Sequence, residues 1–305
     1  MRRILSICAV LLWCGPAMAQ LPLTGAGKGA PGGYTGPGDI QTFLVWGSVA
    51  RVYTAAQASP STNMAILVAS GNGTSICTLR GSTAGIADLT NTYCTQPAAC
   101  SGGCTPAAAC AAANGGSCRA STLYDQVGGN NWVNASLTQM PLVAFNDLNG
   151  LPALVYAHTN NQYLVSQSTI THTQALTIVA VANHTSTDSV NIMGISGGDI
   201  ELLVTNGNVG IYAGAGPLTT TAANNSYHVI QGQANGASPN SAILVDGAAA
   251  VTGSAGTNNI SGGNVGYGSY GTNTLGFTGN ITEAGVFAGT TSATLQTNMR
   301  TQYGL

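Results

Sequence analysis

The chain has 305 residues, a net charge of −2, and only 5% charged side chains against 44% hydrophobic ones. Cations this sparse exclude the basic footprint of a nucleic-acid-binding protein. The surface has to be covered by Asn, Thr, Ser, Gln and Gly, which suits an extracellular β-protein that meets neutral polymers.

The N-terminus reads as a secretory signal peptide over residues 1–19. Arg2 and Arg3 supply the positive start, Ile4 to Trp13 the short apolar run, and Ala17-Met18-Ala19 the small-residue cleavage site. The apolar run is too short to cross a bilayer, and so is the apolar stretch from Ala175 to Ala182, so no membrane span is expected. The mature chain is expected to start at Gln20, with five cations and all nine acids, net −4. Residues 20–38 are rich in Gly and Pro and read as a flexible leader.

From Asp39 onward one domain is expected, covering 39–305. Val45, Val49, Val52, Tyr53 and Ala56 fall at helical spacing, which predicts an amphipathic helix over Phe43 to Gln57 closed by Pro60. Short runs rich in β-branched residues follow, separated by Gly, Asn and Ser turns: 64–69, 142–145, 153–156, 175–182, 190–195, 200–205, 209–213, 227–233, 242–245 and 281–287. Asn206-Gly207 between two of them is a hairpin signal, because both residues tolerate positive φ. The fold class is therefore all-β: a two-sheet sandwich with a short helix at each end.

Cys77, Cys94, Cys100, Cys104, Cys110 and Cys118 are the six cysteines beyond the signal peptide. An even number in an oxidising compartment predicts three disulfides, with fifteen pairings open. The spacings lack the C-x2-C pairs of zinc ribbons, and no histidine lies nearby, which argues against zinc. Residues 94–118 carry few large apolar side chains and read as a disulfide-stapled surface insertion.

Ala50-Arg51-Val52-Tyr53-Thr54, the strand Met64-Ala65-Ile66-Leu67-Val68, the cysteines from Cys94 to Cys118 and the turn Tyr124-Asp125-Gln126-Val127-Gly128 resemble the catalytic domain of the α-L-arabinofuranosidase B family of secreted glycoside hydrolases. The C-terminal third is similar to the closing half of concanavalin A-like and laminin G-like jelly rolls. Its matching features are Ala242-Ile-Leu-Val-Asp-Gly247, Gly279-Asn-Ile-Thr-Glu-Ala-Gly-Val-Phe287 and a final helix ending at Arg300-Thr-Gln-Tyr-Gly-Leu305. Both resemblances imply one jelly-roll sandwich. The first implies retaining glycoside hydrolysis by a Glu nucleophile and an Asp acid.

Those carboxylates are not where the resemblance puts them. Counting back from Glu283 through Gly279, the acid position falls on Thr272, and no carboxylate lies between Asp246 and Glu283. The nucleophile position falls on Asn208. A shifted alignment offers Asp199 and Glu201, which share a strand face at i and i+2. If the protein is active, Glu201, Glu283 and Asp199 are the candidates. Asp125 reads as the cap of its own turn. Tyr212, Tyr267, Tyr270 and Trp132 are candidates for stacking on sugar rings. The histidines are scattered, no nucleophile elbow occurs, and the Gly-rich runs do not open helices, so neither triad nor nucleotide chemistry is supported. No cofactor is expected. Calcium suits lectin-like sandwiches, but the acids are too dispersed to name a site.

The favoured reading is a secreted, non-catalytic carbohydrate-binding or adhesion protein on an arabinofuranosidase-like fold. The alternatives are an active α-L-arabinofuranosidase releasing terminal arabinose from plant polysaccharide, and a structural surface or phage-tail-like module. Mass spectrometry of the secreted protein should find Gln20 at the N-terminus and three disulfides; free thiols on four or more of the six cysteines would overturn this reading.

Overall fold

The computed structural model describes residues 33–185, 187, 189–270 and 276–305. The signal peptide, most of the leader and Thr272 lie outside the described residues. In chain order the elements are β1 (Phe43–Ser48), β2 (Asn63–Ala69), β3 (Ser75–Arg80), α1 (Pro106–Ala112), β4 (Cys118–Leu123), β5 (Trp132–Val133), β6 (Leu142–Leu148), β7 (Leu151–Tyr156), β8 (Leu164–Ser166), β9 (Ile170–His172) and β10 (Leu176–His184). They continue as β11 (Val190–Ile195), β12 (Ile200–Thr205), β13 (Asn208–Ala213), β14 (Leu218–Thr221), β15 (Tyr227–Ala234), β16 (Ser241–Val245), β17 (Val251–Gly253), β18 (Ile260–Gly263), β19 (Val265–Tyr267), β20 (Gly279–Ala288) and α2 (Ala293–Tyr303).

Apart from a separate ribbon of β9 and β18, the strands pair antiparallel into two layers. One runs β17–β16–β15–β10–β20, and β1 and β7 share the far edge of β20. The other runs β14–β13–β12–β11–β19–β8–β5–β4–β2–β3. Pairing of β6 with both β4 and β7 joins the layers at one side. This is the all-β jelly-roll sandwich that the sequence pattern implied. Among the described residues no helix is long and apolar enough to cross a membrane.

Alternation along the strands explains the packing. Ile178 and Ala180 of β10, Ile230 of β15, and Ala284 and Val286 of β20 point into the main core. There they meet Ile192 of β11, Ile200, Leu202 and Val204 of β12, and Val209 and Ile211 of β13. The layers approach so closely at Gly232 that an added Cβ would lie 2.9 Å from Ile211 and Leu202. The opposite face of β10 carries Val179 and Val181. With Val229, Phe287, Phe43 and Trp46 they form a second core under Leu295, Met299 and Tyr303 of α2. Burial on both faces accounts for the near-continuous apolar runs of β10 and β20.

The helix predicted over Phe43 to Gln57 is not formed. Its first half is strand β1, paired with β20 from Phe43↔Phe287 to Ser48↔Glu283. The strand lies between the two cores, with Val45 facing one and Phe43 and Trp46 the other, so apolar residues occupy both faces. The expected period-2 signal is therefore missing, and the remaining spacing imitates a helix. The last leader residues are packed as well. Tyr34 donates its hydroxyl to the Val52 carbonyl, and the Gly38 N–H reaches the Tyr53 carbonyl at 2.7 Å.

The six cysteines pair as Cys77–Cys94, Cys100–Cys104 and Cys110–Cys118. The insertion is less superficial than its composition suggests: Cys94, Cys100, Cys110 and Cys118 are buried with Ala109 of α1 in the main core. Asp125 caps its turn as expected. Its carboxylate accepts N–H groups from Val127, Gly128 and Asn130 at 3.0–3.1 Å, and a fourth from Trp46 of β1 at 3.0 Å. Asp246-Gly247, both at positive φ, form the plain turn after β16.

Arg51 and Glu283, both fully buried, form a two-point ion pair: Nε donates to Oε2 at 2.6 Å and Nη2 to Oε1 at 2.7 Å. Nη1 donates to Asn298 of α2 at 2.7 Å. The guanidinium lies 5.9 Å from the Trp46 ring centroid and 5.6 Å from that of Tyr303. Burial disfavours the Arg51 charge, but the Glu283 carboxylate outweighs it and keeps the guanidinium protonated. Removing one partner strands the other in the core. Arg51→Met or Glu283→Gln should therefore cost about 3–5 kcal/mol in urea unfolding, and the double change Arg51→Met/Glu283→Leu should cost less than either. Additive losses would contradict this account.

Candidate functional site

Strand β12 has two characters. Ile200, Leu202 and Val204 point into the core, so Glu201, Leu203 and Thr205 emerge on the outer face, while Asp199, in the turn just before the strand at φ 48°, reaches the same cleft. The β12–β13 hairpin turns at Asn206-Gly207, whose φ values of 49° and 73° fit the predicted turn. Its register sets Tyr212 directly across from Glu201. On the other side Glu201 faces Gly194 of β11, and Gly194 bridges in turn to Tyr270. Tyr270, Gly194, Glu201 and Tyr212 thus form one row across the sheet. Gly194 has to be small here: a Cβ would lie 2.8 Å from the Tyr270 Cα.

An open cleft of about 590 Å³ results, lined among the described residues by Ser189, Asp199, Glu201, Leu203, Thr205, Tyr212, Pro217 and Tyr270. Asp199 is exposed, Tyr212 and Tyr270 are half-buried, and Glu201 is only 9% exposed. Tyr270 donates its hydroxyl to Oδ1 of Asp199. Burial pushes the Glu201 carboxyl above the usual range; the amide of Asn191 on β11 opposes that rise, and the Asp199 charge adds to it. Asn191 itself is 1% exposed, and its amide makes no aligned hydrogen bond. The sequence had not singled it out. A polar residue within an otherwise apolar strand was the available signal.

The structure thus gathers Asp199, Glu201, Tyr212 and Tyr270 at one place and leaves the other candidates elsewhere. Glu283 is closed off in its ion pair with Arg51, with no exposed surface to offer a substrate. Trp132 and Tyr267 are fully buried in the main core, packed edge to face with ring centroids 5.7 Å apart, so neither can stack on a ligand. Both project inward from the second layer, Trp132 from β5 and Tyr267 from β19. Asn208 begins β13 at the hairpin end, on the same outer face as Tyr212 but four residues before it and outside the cleft lining. Among the described residues no group of three or more His, Cys, Asp or Glu side chains could hold a metal ion.

The arrangement offers hydrogen-bond acceptors beside two aromatic rings with polar tips, a combination that suits a half-wet ligand. The titration of Glu201 has a sign that can be checked. Its folded pKa lies above the unfolded value, so the native state holds more protons, and stability falls as pH rises from the unfolded Glu value through the folded one. Carbon-detected NMR should find the Glu201 carboxyl titrating above ordinary glutamates. Glu201→Gln should raise the melting temperature at neutral pH and flatten that part of the pH profile; an unchanged or lower melting temperature would count against this reading.

No protein-family model matches the chain, and no curated protein matches it. Solved structures do. One is a mutant GH54 α-L-arabinofuranosidase soaked with 4-nitrophenyl α-L-arabinofuranoside, with TM-score 0.63, 16% identity, and coverage of 88% of this chain and 66% of that one. A second is an arabinofuranosidase complexed with arabinofuranosyl-α-1,2-xylobiose, with TM-score 0.65, 15% identity, and coverage of 88% and 65%. A third is a GH54 α-L-arabinofuranosidase soaked with a cyclic sulfate inhibitor, with TM-score 0.63, 15% identity, and coverage of 88% and 66%. The chain therefore spans just under two thirds of the length of these proteins, and what it shares with the GH54 α-L-arabinofuranosidases is their β-sandwich fold.

Proposed function

We propose that this is a secreted, non-catalytic carbohydrate-binding protein whose ligand, a polysaccharide or cell-surface glycan, lies in the cleft on the outer face of β12 and β13. The observation that carries this reading is the row Tyr270–Gly194–Glu201–Tyr212 with Asp199 beside it. Sugar rings can stack on the tyrosines, and sugar hydroxyls can donate to the carboxylates. The chain is read as a signal peptide at 1–19, a leader at 20–38 and a sandwich domain at 39–305. The three disulfide pairs suit the oxidising compartment that secretion implies.

The non-catalytic part rests on geometry. Two-carboxylate hydrolysis places the groups on either flank of the scissile bond. Asp199, in the turn that leads into β12, and Glu201, on the strand, stand two positions apart in the chain and so meet a ligand from neighbouring points rather than from opposite flanks. Hydrolysis of arabinofuranosides is the second reading, because Glu201 is held toward its protonated form beside a second carboxyl, the pattern of an acid with an ionised partner.

A glycan array with the wild-type protein should identify bound glycans. Tyr212→Ala or Tyr270→Ala should weaken that binding by about tenfold, the equivalent of about 1.4 kcal/mol. Hydrolysis of 4-nitrophenyl α-L-arabinofuranoside should stay at background. Turnover that is lost in both Glu201→Gln and Asp199→Asn would establish the second reading; neither binding nor turnover would reject both.

A further inference from the structure

The cleft carries negative charge that the protein does not neutralise. Its lining among the described residues has two carboxylates and no Lys, Arg or His. The ion pairs of the described residues are Arg51–Glu283 and His228–Asp246, neither of which involves the cleft. Glu201 is nine-tenths buried, yet among the described residues it has no ion-pair partner. Behind it stands the buried Asn191 amide, a neutral neighbour that offsets only part of the cost of burying the carboxyl. A buried carboxylate is ordinarily paired or bound to a metal, because desolvating it alone is costly. A positive group on a ligand would relieve that cost.

The surroundings indicate its kind. Tyr212 and Tyr270 border the carboxylates, and aromatic faces attract organic cations, particularly where water is partly excluded. Tyr270 already occupies one oxygen of Asp199. A hard divalent ion wants about six to eight oxygen ligands, more than two carboxyls with one oxygen engaged can offer. An ammonium asks for three acceptors and tolerates ring faces.

We infer that the cleft selects a glycan unit bearing a protonated amine, an amino sugar whose ammonium sits between Glu201 and Asp199 while its ring lies against a tyrosine. This rests on the carbohydrate-binding reading and narrows it to a ligand class; it also implies that uronate-containing glycans are rejected by like charge.

The test is isothermal titration of the wild-type protein with two matched probes, a glucosamine oligomer and an N-acetylglucosamine oligomer of equal length, at a pH where the free amine is protonated. The amine form should bind about tenfold tighter or better. That preference should shrink when salt is raised from about 0.01 to 0.15 M, which shortens the screening length from about 30 to about 8 Å. Glu201→Gln and Asp199→Asn, checked for native circular dichroism, should each erode the preference. Because the salt series needs no variant, it stands even if a variant misfolds. Equal affinity for the two oligomers overturns the inference and leaves the carbohydrate reading in place. No binding of either oligomer, together with an empty glycan array, overturns both. Terbium luminescence that saturates at micromolar ion and is lost in Glu201→Gln, with no preference for the amine, overturns it in favour of a metal site.

Discussion

The buried Arg51–Glu283 pair is the constraint on which the rest of the sandwich depends. Glu283 sits on β20, the strand that pairs with β10 along its length and with β1 and β7 on its other edge. Arg51 follows β1 and reaches α2 through Asn298. One guanidinium thus ties together the central strand, the N-terminal strand and the C-terminal helix, elements separated by more than 200 residues in sequence. Burying two charges costs several kcal/mol each before attraction repays it. The arrangement is tolerable only because the Arg51 nitrogens are satisfied by the carboxylate and the amide, with Trp46 and Tyr303 against the guanidinium. Its contribution is directional: an apolar pair could fill the same space but would not fix how α2 and β1 meet β20.

The same fold handles its other buried carboxylate in the opposite way. Glu283 is closed in and paired, whereas Glu201 is nearly as buried but opens on a cleft without a cation. One is explained by stability and the other is not. Alternation on β12 forces this outcome. The strand has to present Ile200, Leu202 and Val204 to the core, so whatever stands at 201, 203 and 205 faces outward. Gly194, where a side chain would displace Tyr270, shows that the opposite wall of the cleft is also specified by the backbone.

Much of the fold could be read from the sequence because its signals are local. The strands from β10 to β13 and β15, β16 and β20 were found within a residue or two, since β-branched runs broken by Gly and Asn report directly on extended chain and turn. Asn206-Gly207 identified the hairpin that carries the site. Reading failed where burial is two-sided or tertiary. β1 lies between two cores and lost its alternation. Trp132 and Tyr267 look like surface aromatics until their side chains are seen to point from β5 and β19 into the space between the layers. For the site, the i, i+2 spacing drew attention to Asp199 and Glu201, although Asp199 stands in the turn before β12 at φ 48° and not on the strand, and the hairpin drew attention to Tyr212. Tyr270 was named without a reason to place it beside them, because the bridge from Gly194 spans 76 positions of intervening topology. Asn191 gave only the faint signal of an amide in an apolar run.

Composition sharpens the meaning of the cleft. In a charge-rich protein an unpaired surface carboxylate is ordinary, because mobile lysines and arginines lie within a few ångströms. Here the cations from Asp39 onward are Arg51, Arg80, Arg119 and Arg300. Arg51 is committed to Glu283, Arg80 lies over the Tyr93 ring at 5.0 Å, and Arg119 donates to the Met140 carbonyl at 2.6 Å. Arg300, in the last turn of α2, lends its charge to Asp246 beside His228. None lines the cleft, so the field there is not averaged away by neighbours, and two carboxylates dominate a surface otherwise made of amides and hydroxyls. Such a neutral surface gives little long-range steering, so discrimination has to occur within a few ångströms of Asp199 and Glu201, where water is thinned by Tyr212, Tyr270 and Leu203 and a single charge on the ligand counts most.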